Sequence, residues 1–174
     1  MSVHPDPAFV YNFTEEIQRT ELPAGLPERY CVVYSYYNRI YDAHDIDCIK
    51  QFCKKHHMKI VSVGAPQMWI KNHLVLTPFE MLKVFENAAF VITDTFHGTI
   101  FSAKYAKKFA TMTRSSNENK LRHLIGMLQL ENHTVRSFEE LERVIGIQND
   151  TDRIAKLAET EKGRTLQYLM NHIS

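Results

Sequence analysis

The chain has 174 residues, of which 44% are hydrophobic and 24% are charged, values typical of one globular domain with its own core. Lysine and arginine number 21 against 20 acidic residues, so the overall charge gives no reason to expect a nucleic-acid partner. No apolar run approaches the roughly 20 residues that a membrane-spanning helix needs, and the first residues lack the pattern of a signal peptide. We therefore expect neither a membrane span nor secretion.

The cysteines give no indication of a metal site. Cys31, Cys48 and Cys53 form no C-x-x-C pair and lie in no run with the spacing of metal ligands. His44, His123 and His133 are interpreted as lacking an i, i+4 partner of the kind that indicates a metal. We therefore predict reduced, buried thiols, no bound metal and a cytoplasmic protein.

Segments with the periodicity of strands and of helices alternate along the chain. We predict strands at residues 30–37, 59–64, 90–93 and 108–112, and a short extended stretch at 133–135. Helices are predicted between and after them, at residues 45–57, 77–86, 97–106 and 118–128, after SFEE at 137–140, and at 150–172. Residues 65–73 are interpreted as irregular. Thr77 with Glu80, and Ser137 with Glu140, have the spacing of capping boxes at helix starts.

This alternation predicts an α/β fold with a Rossmann-like, doubly wound parallel sheet. We divide the chain into an N-terminal segment and connector at residues 1–29, an α/β domain at 30–150 and a C-terminal helix at 151–174 that packs on the domain. Ligands of such sheets bind beyond the carboxyl ends of the strands. Three loops are expected at that edge: SYYNR at 35–39, TDTFHG at 93–98 and TRSSNENK at 113–120.

His97 and Gly98 fall in the first turn of a helix that begins at the carboxyl end of a strand. Unpaired backbone N–H groups and the helix dipole favour an anion there. Gly98 would let a ligand approach the backbone, and His97 can donate to a phosphate or a carboxylate or transfer a proton near neutral pH. Thr95 and Thr99 add hydroxyl groups. The competing interpretation is structural, with Thr95 as an N-cap and His97 as a satisfied polar residue.

Two stretches of the sequence resemble the C-terminal half of the polysaccharide pyruvyl transferase family. They are DPAF at residues 6–9 and TPFEMLKVFENAAFVITDTFHGTIFSAKYAKKF at residues 77–109, and the His-Gly segment is the most specific part. A weaker resemblance covers NKLRHLIGMLQL at residues 119–130. The resemblance implies the C-terminal Rossmann-like lobe of a two-lobed, GT-B-like enzyme, with residues 1–29 as the crossover segment.

The chemistry that the resemblance implies is transfer of pyruvate from phosphoenolpyruvate to two hydroxyl groups of a sugar, which gives a cyclic ketal and releases phosphate. Phosphoenolpyruvate is then the donor substrate, and no cofactor is expected. His97 is the predicted catalytic residue. The predicted substrate-binding residues supply N–H groups, hydroxyl groups, amides or positive charge at the carboxyl edge: Asn38, Arg39, Thr95, Gly98, Thr99, Arg114, Ser115, Ser116, Asn117 and Lys120.

The chain departs from the family pattern in two ways. Some members carry an arginine two positions before the histidine, where this chain has Thr95, so Arg114 or Arg39 would have to supply that charge from a neighbouring loop. The resemblance covers only the C-terminal half of the family, so we expect this chain to lack the N-terminal lobe, to be inactive alone and to require such a lobe as a partner. A lipid-linked sugar is one candidate acceptor, which would place the protein peripherally at the inner membrane face.

Two alternatives remain open at this stage. A nucleotide-sugar-binding lobe of a GT-B glycosyltransferase would share the architecture, and Glu118 is the obvious acidic candidate for contacting ribose. A non-catalytic signalling or binding domain with a phosphoacceptor at Asp94 would need an acidic pair after the first strand to hold magnesium. The loop SYYNR has no such pair.

Overall fold

Six parallel strands pair into one sheet, in the order β3-β2-β1-β4-β5-β6, within residues 6–114 and 118–173, which the computed structural model describes. The strands are β1 (Tyr30–Tyr34), β2 (Lys59–Val63), β3 (His73–Leu74), β4 (Phe90–Thr93), β5 (Phe109–Met112) and β6 (Thr134–Val135). Val32 of β1 pairs with Val61 on one side and with Val91 on the other. The order therefore runs outward from the β1–β4 pair in both directions, which confirms the predicted doubly wound, Rossmann-like fold.

The helices connect these strands and cover both faces of the sheet. They are α1 (Pro7–Val10), α2 (Thr14–Arg19), α3 (Ala43–Lys55), α4 (Pro78–Asn87), α5 (Phe96–Tyr105), α6 (Glu118–Leu128), α7 (Leu141–Val144) and α8 (Thr151–Ile173), with 3-10 helices at Glu131–His133 and Phe138–Glu140. The Thr77 hydroxyl and the Glu80 carboxylate form the predicted capping box at the start of α4. None of the helices in the described part of the chain is long and apolar enough to cross a lipid bilayer.

Neighbouring strand residues pack into two different cores because successive side chains point to opposite faces of a sheet. Val32 and Val91 belong to the core that is closed by α1, α4, α5, α6 and α8. Val33 and Ile92 belong to the core that is closed by α3, α7 and the 3-10 helix Phe138–Glu140. All four side chains are buried, so the central strands are covered on both faces.

Three predicted local features are wrong. The first strand ends at Tyr34, because Ser35 turns its hydroxyl to Asp94 and Asn38 adopts a positive φ of 41°. The region interpreted as irregular ends in β3, whose two residues are too few to give a periodic pattern. No capping box forms at Ser137, whose side chain makes no cap hydrogen bond.

The N-terminal segment contains two helices that the sequence pattern did not predict, and one of them is anchored to α5. The Lys104 ammonium of α5 donates to the carbonyl oxygens of Ala8 and Phe9, both at 3.0 Å, and to that of Tyr11. Phe9 is fully buried against the same core as α5. These contacts fix α1 beside α5 and thereby place Asp6, the N-cap of α1, at the carboxyl edge of the sheet.

Candidate functional site

A cavity of about 850 Å³ lies beyond the carboxyl ends of the central strands. Its walls come from the N-terminal segment, the loop after β1, the β4–α5 turn and the first half of α6: Asp6, Tyr36, Arg39, Asp94, Thr95, Phe96, His97, Lys120, Leu121 and His123. The cavity thus occupies the edge at which doubly wound sheets bind ligands. It includes four of the predicted site residues, namely Arg39, Thr95, His97 and Lys120.

Thr95 starts α5 as a true N-cap. Its hydroxyl accepts a hydrogen bond from the Gly98 N–H at 3.0 Å, and its carbonyl accepts one from the Thr99 N–H at 3.0 Å. The expected availability of the Gly98 and Thr99 N–H groups for a ligand is therefore wrong. Phe96 and His97 are the first two residues of α5, and both border the cavity. No described residue accepts a hydrogen bond from their backbone N–H groups. Those two groups are the donors that this helix start offers to an anion.

Gly98 allows the start of α5 to pack closely on the strand ends. The expectation that it lets a ligand approach the backbone is corrected by this packing. Gly98 is buried, and a Cβ built on it would lie 2.1 Å from Oγ1 of Thr93, 2.6 Å from Oγ1 of Thr95 and 2.6 Å from Cδ1 of Tyr34. Glycine is needed because the first turn of α5 lies directly on the ends of β1 and β4. The close packing of this turn positions the neighbouring residue, His97.

His97 is held at the cavity wall by two contacts. Its Nε2 lies 3.4 Å from Oδ2 of Asp6, and its ring stacks near that of Phe101, with 6.3 Å between centroids and an interplanar angle of 24°. The His97 side chain is still 55% exposed. A histidine that is oriented by a carboxylate and open to the cavity can exchange a proton with a bound ligand.

Asp94 lies under the cavity as the centre of a charged network. Its carboxylate accepts from the Ser35 hydroxyl at 2.5 Å and from Nε of Arg114 at 2.8 Å, and Nε of Arg39 lies at 3.4 Å. The Asp94 side chain is fully buried, whereas the two arginine side chains are 22% and 23% exposed. One carboxylate therefore brings together two guanidinium groups from two loops, next to Thr95.

Each arginine is also held by an aromatic ring. The guanidinium of Arg39 lies 5.3 Å from the ring centroid of Tyr36, and that of Arg114 lies 5.7 Å from the ring centroid of Phe138. The expectation that Arg39 and Arg114 provide positive charge near Thr95 agrees with this arrangement. Arg39 borders the cavity directly. Arg114 does not border it but donates to the Asp94 carboxylate, which does.

Two of the remaining predicted residues, Thr99 and Asn38, make structural contacts instead of bordering the cavity. Thr99 is buried, and its hydroxyl bonds to the Thr95 carbonyl and the Thr111 hydroxyl. Asn38 supports the loop, since its N–H donates to the Pro66 carbonyl and its side-chain oxygen accepts from the Met68 N–H. Neither residue borders the cavity. Ser115, Ser116 and Asn117 lie outside the described residues, so their predicted roles stay predictions.

Several residues of the cavity were not predicted to bind substrate. From the sequence, Asp6 is interpreted only as part of the DPAF motif, and Asp94 as a candidate phosphoacceptor. Tyr36, Phe96 and His123 complete the wall. The signal for Asp6 was present in DPAF, because a polar residue before proline is typical of an N-cap, but its contact with His97 depends on tertiary packing.

A second group of polar residues lies outside the cavity. His44 and Cys48 are four residues apart on α3, and their side chains meet Glu139. The interpretation that His44 lacks an i, i+4 partner is therefore wrong, because a cysteine takes that position. Cys48 is also only half-buried, in contrast to the buried Cys31 and Cys53.

Comparison with known proteins identifies the family of the chain. A search of curated proteins gives no match. The family model described as Polysaccharide pyruvyl transferase matches residues 3–116, which contain Asp6, the whole β4–α5 turn and both arginines. This match covers well over half of the chain, so the protein belongs to the polysaccharide pyruvyl transferase family.

Proposed function

We propose that the cavity binds phosphoenolpyruvate and that the chain acts in transferring pyruvate to a sugar as a cyclic ketal, during synthesis of a cell-surface polysaccharide or exopolysaccharide. The observation that carries this proposal is the cluster around the start of α5. His97 is paired with Asp6 there, and two arginines converge on Asp94 one residue before the N-cap. This cluster lies in the segment that matches the family.

The charges around the cavity suit a small ligand with two anionic groups. Phosphoenolpyruvate carries a phosphate and a carboxylate, and preorganised donors are the usual means of binding such groups. The N–H groups of Phe96 and His97 lie at the positive end of the α5 dipole. Arg39 and Lys120 border the cavity from other sides. These donors offer positive charge on several sides of the proposed ligand position, and the carboxylates of Asp6 and Asp94 orient His97 and Arg39 beside it.

His97 is the proposed proton-transferring residue. In the proposed reaction a proton is added to the methylene carbon of phosphoenolpyruvate, which becomes a methyl group, and a sugar hydroxyl adds to the neighbouring carbon. The bond from that carbon to the phosphate oxygen then breaks, and a second hydroxyl closes the ketal. Of the two hydroxyl protons, one balances the proton added to the methylene carbon and the other leaves with the phosphate group. The Asp6 carboxylate would hold the imidazole in the orientation that this proton transfer needs.

The acceptor is proposed to approach from the exposed side of His97. Tyr36 borders the cavity and is 58% exposed, and its ring can stack on a sugar. The half-exposed state of His97 means that the described residues enclose it on one side only. We propose that a second Rossmann-like lobe supplies the other wall and excludes water during the reaction.

The two alternative functions are less well supported by the contacts. Glu118, the candidate for a nucleotide ribose, pairs with Arg122 on the exposed face of α6 and does not border the cavity. A phosphoacceptor aspartate must be reachable by its phosphodonor, whereas the Asp94 carboxylate is fully buried against Ser35 and two arginines. Family membership also favours pyruvyl transfer over both.

Titration of the chain with phosphoenolpyruvate, followed by amide chemical shifts, tests the proposal. We expect the largest shifts at residues 94–98 and at Arg39, and about 10-fold weaker binding in each of Arg39→Met and His97→Ala. Lys59→Met is the matched control, because Lys59 is an exposed cation at the start of β2, at the opposite edge of the sheet. Shifts centred elsewhere, or equal weakening in the control, would contradict the proposal.

A further inference from the structure

We propose that His44, Cys48 and Glu139 form a binding site for a zinc-type divalent ion that links α3 to the 3-10 helix Phe138–Glu140. This site lies outside the cavity, and the inference does not depend on the proposed function. Each residue offers one ligand atom: an imidazole nitrogen, a thiolate sulfur and a carboxylate oxygen. The three residues come from two elements that pack against each other.

The ligand atoms already have nearly the separations that a metal requires. Nε2 of His44 lies 2.8 Å from Oε1 of Glu139 and 3.7 Å from Sγ of Cys48, and all three atoms lie within 4.8 Å of one another. Zinc bonds of about 2.0 Å to nitrogen or oxygen and about 2.3 Å to sulfur place tetrahedral ligands about 3.3 to 3.6 Å apart. Small rotations of the two exposed side chains and of the half-buried Cys48 would therefore bring the three atoms around one ion.

The identity of the ligands favours zinc over the abundant hard cations. A thiolate and an imidazole are ligands that Zn²⁺ and Co²⁺ prefer, whereas Mg²⁺ and Ca²⁺ are bound by oxygen atoms. His44 and Cys48 are one helical turn apart on α3, so the helix fixes their relative position. Three protein ligands leave a fourth tetrahedral position for water or for an added ligand.

Ion binding at this site would affect the cavity by fixing the position of Arg114. Asp45, which follows His44, has a carboxylate oxygen 3.8 Å from a terminal nitrogen of Arg114. Phe138, which precedes Glu139, packs its ring beneath the same guanidinium. An ion that ties His44 to Glu139 would hold both neighbours of Arg114 in place. The site is therefore placed to stabilise the arginine side of the cavity.

A second histidine–carboxylate pair, between the C-cap of α3 and α7, gives an internal control. His56 lies 3.2 Å from a carboxylate oxygen of Glu142, and the third side chain at that pair is the Lys55 ammonium, 3.0 Å from the same oxygen. An ammonium group is not a metal ligand, and its charge repels a cation. Both pairs therefore contain an imidazole and a carboxylate, but only the His44–Glu139 pair has a cysteine sulfur beside it.

The test is titration of the reduced chain with Zn²⁺ by calorimetry and with Co²⁺ by absorption spectroscopy. We expect one ion per chain, a sulfur-to-cobalt charge-transfer band and a raised unfolding temperature with Zn²⁺ present. Cys48→Ser should abolish the charge-transfer band and weaken binding at least about 100-fold, and Glu139→Gln and His44→Gln should also weaken it strongly. His56→Gln should leave stoichiometry and affinity unchanged.

The variants replace side chains that are at least partly exposed, so each is expected to fold, and circular dichroism of the metal-free proteins checks this. Buried Cys31 and Cys53 remain as the thiols that could give a false signal. Absence of binding to the wild-type chain would overturn the proposal. A charge-transfer band that persists in Cys48→Ser, or an equal loss of affinity in His56→Gln, would overturn it too.

Discussion

Oδ2 of Asp6 lies 3.4 Å from Nε2 of His97, while Oδ1 of the same carboxylate accepts a hydrogen bond from the Ala8 N–H at 2.8 Å. One side chain therefore caps α1 and orients the histidine of α5. Lys104 secures this arrangement, because it binds the carbonyl oxygens at the end of α1. The N-terminal segment is thus part of the candidate site as well as a connection to it.

Asp6→Asn is the first prediction, because it keeps an oxygen for the cap and removes the negative charge beside His97. The free energy of unfolding should change by less than about 0.5 kcal/mol, since asparagine and aspartate are similar N-caps. In pyruvyl transfer by the assembled enzyme, kcat should fall about 10-fold or more, with little change in KM for phosphoenolpyruvate. Phosphate-release kinetics measure both. An unchanged kcat would show that Asp6 serves α1 alone.

Gly98→Ala should destabilise the fold at the candidate site. The added Cβ would meet the hydroxyls of Thr93 and Thr95 and the ring of Tyr34, so α5 must shift or the strand ends must move. We expect a loss of about 1 to 3 kcal/mol in urea unfolding, together with weaker phosphoenolpyruvate binding. Gly126→Ala in α6 is the control, because a Cβ there meets nothing within 4 Å. It should stabilise the protein by about 0.5 to 1 kcal/mol.

Asp94→Asn should cost about 2 to 4 kcal/mol of stability, because the substitution leaves two arginines without their shared buried carboxylate. Their partial exposure keeps the cost below that of a fully buried pair. The Ser35 hydroxyl can still donate to the asparagine oxygen. Urea unfolding measures the cost, and Asp152→Asn, an exposed acid at the start of α8, should change stability little. Equal effects of the two substitutions would mean that the network contributes no specific stability.

The sequence was sufficient where the local pattern and the tertiary structure agree. β4 has the predicted bounds, and α4 starts with the predicted capping box. The location of the cavity followed from topology, since parallel strands bring the β4–α5 turn and the neighbouring loops to one edge. The sequence pattern therefore predicts that His97 and Arg39 lie at the same edge of the sheet, as both do at the cavity wall.

The features that were missed depend on contacts between distant segments. The partners of Asp94 come from the loops after β1 and β5, and no spacing in the sequence shows that one carboxylate collects them. At Ser137 the capping pattern was present, but the Glu140 carboxylate instead accepts from the Arg136 N–H and pairs with Arg143. The Cys48 thiol has no cysteine partner at the spacing of a metal site, because the residue at i−4 is a histidine.

His133 provides a pH-dependent contribution to stability. Its side chain is buried, and its ring stacks on that of Phe109 with 4.3 Å between centroids. Nδ1 lies 3.2 Å from the Phe109 carbonyl oxygen. Burial lowers the pKa of His133, and the charge of Arg153 lowers it further, while the bond to the carbonyl partly opposes this shift. The folded protein therefore prefers the neutral imidazole.

The last prediction follows from this lowered pKa. As the pH falls through about 6.5, the ordinary value for histidine, His133 gains a proton in the unfolded chain but not yet in the folded protein. The unfolded state then binds more protons, so the free energy of unfolding should decrease as the pH falls below that value, until the folded protein also takes up the proton. The test variant is His133→Gln, which can still donate to the Phe109 carbonyl but cannot titrate. Between pH 7.5 and 5, its free energy of unfolding in urea should decrease less than that of the unmutated protein. Outside that window the two proteins should show about the same dependence on pH. Equal pH dependence in the two proteins would show that His133 is not the group responsible, and a steeper decrease in the variant would show that its pKa is raised by folding rather than lowered.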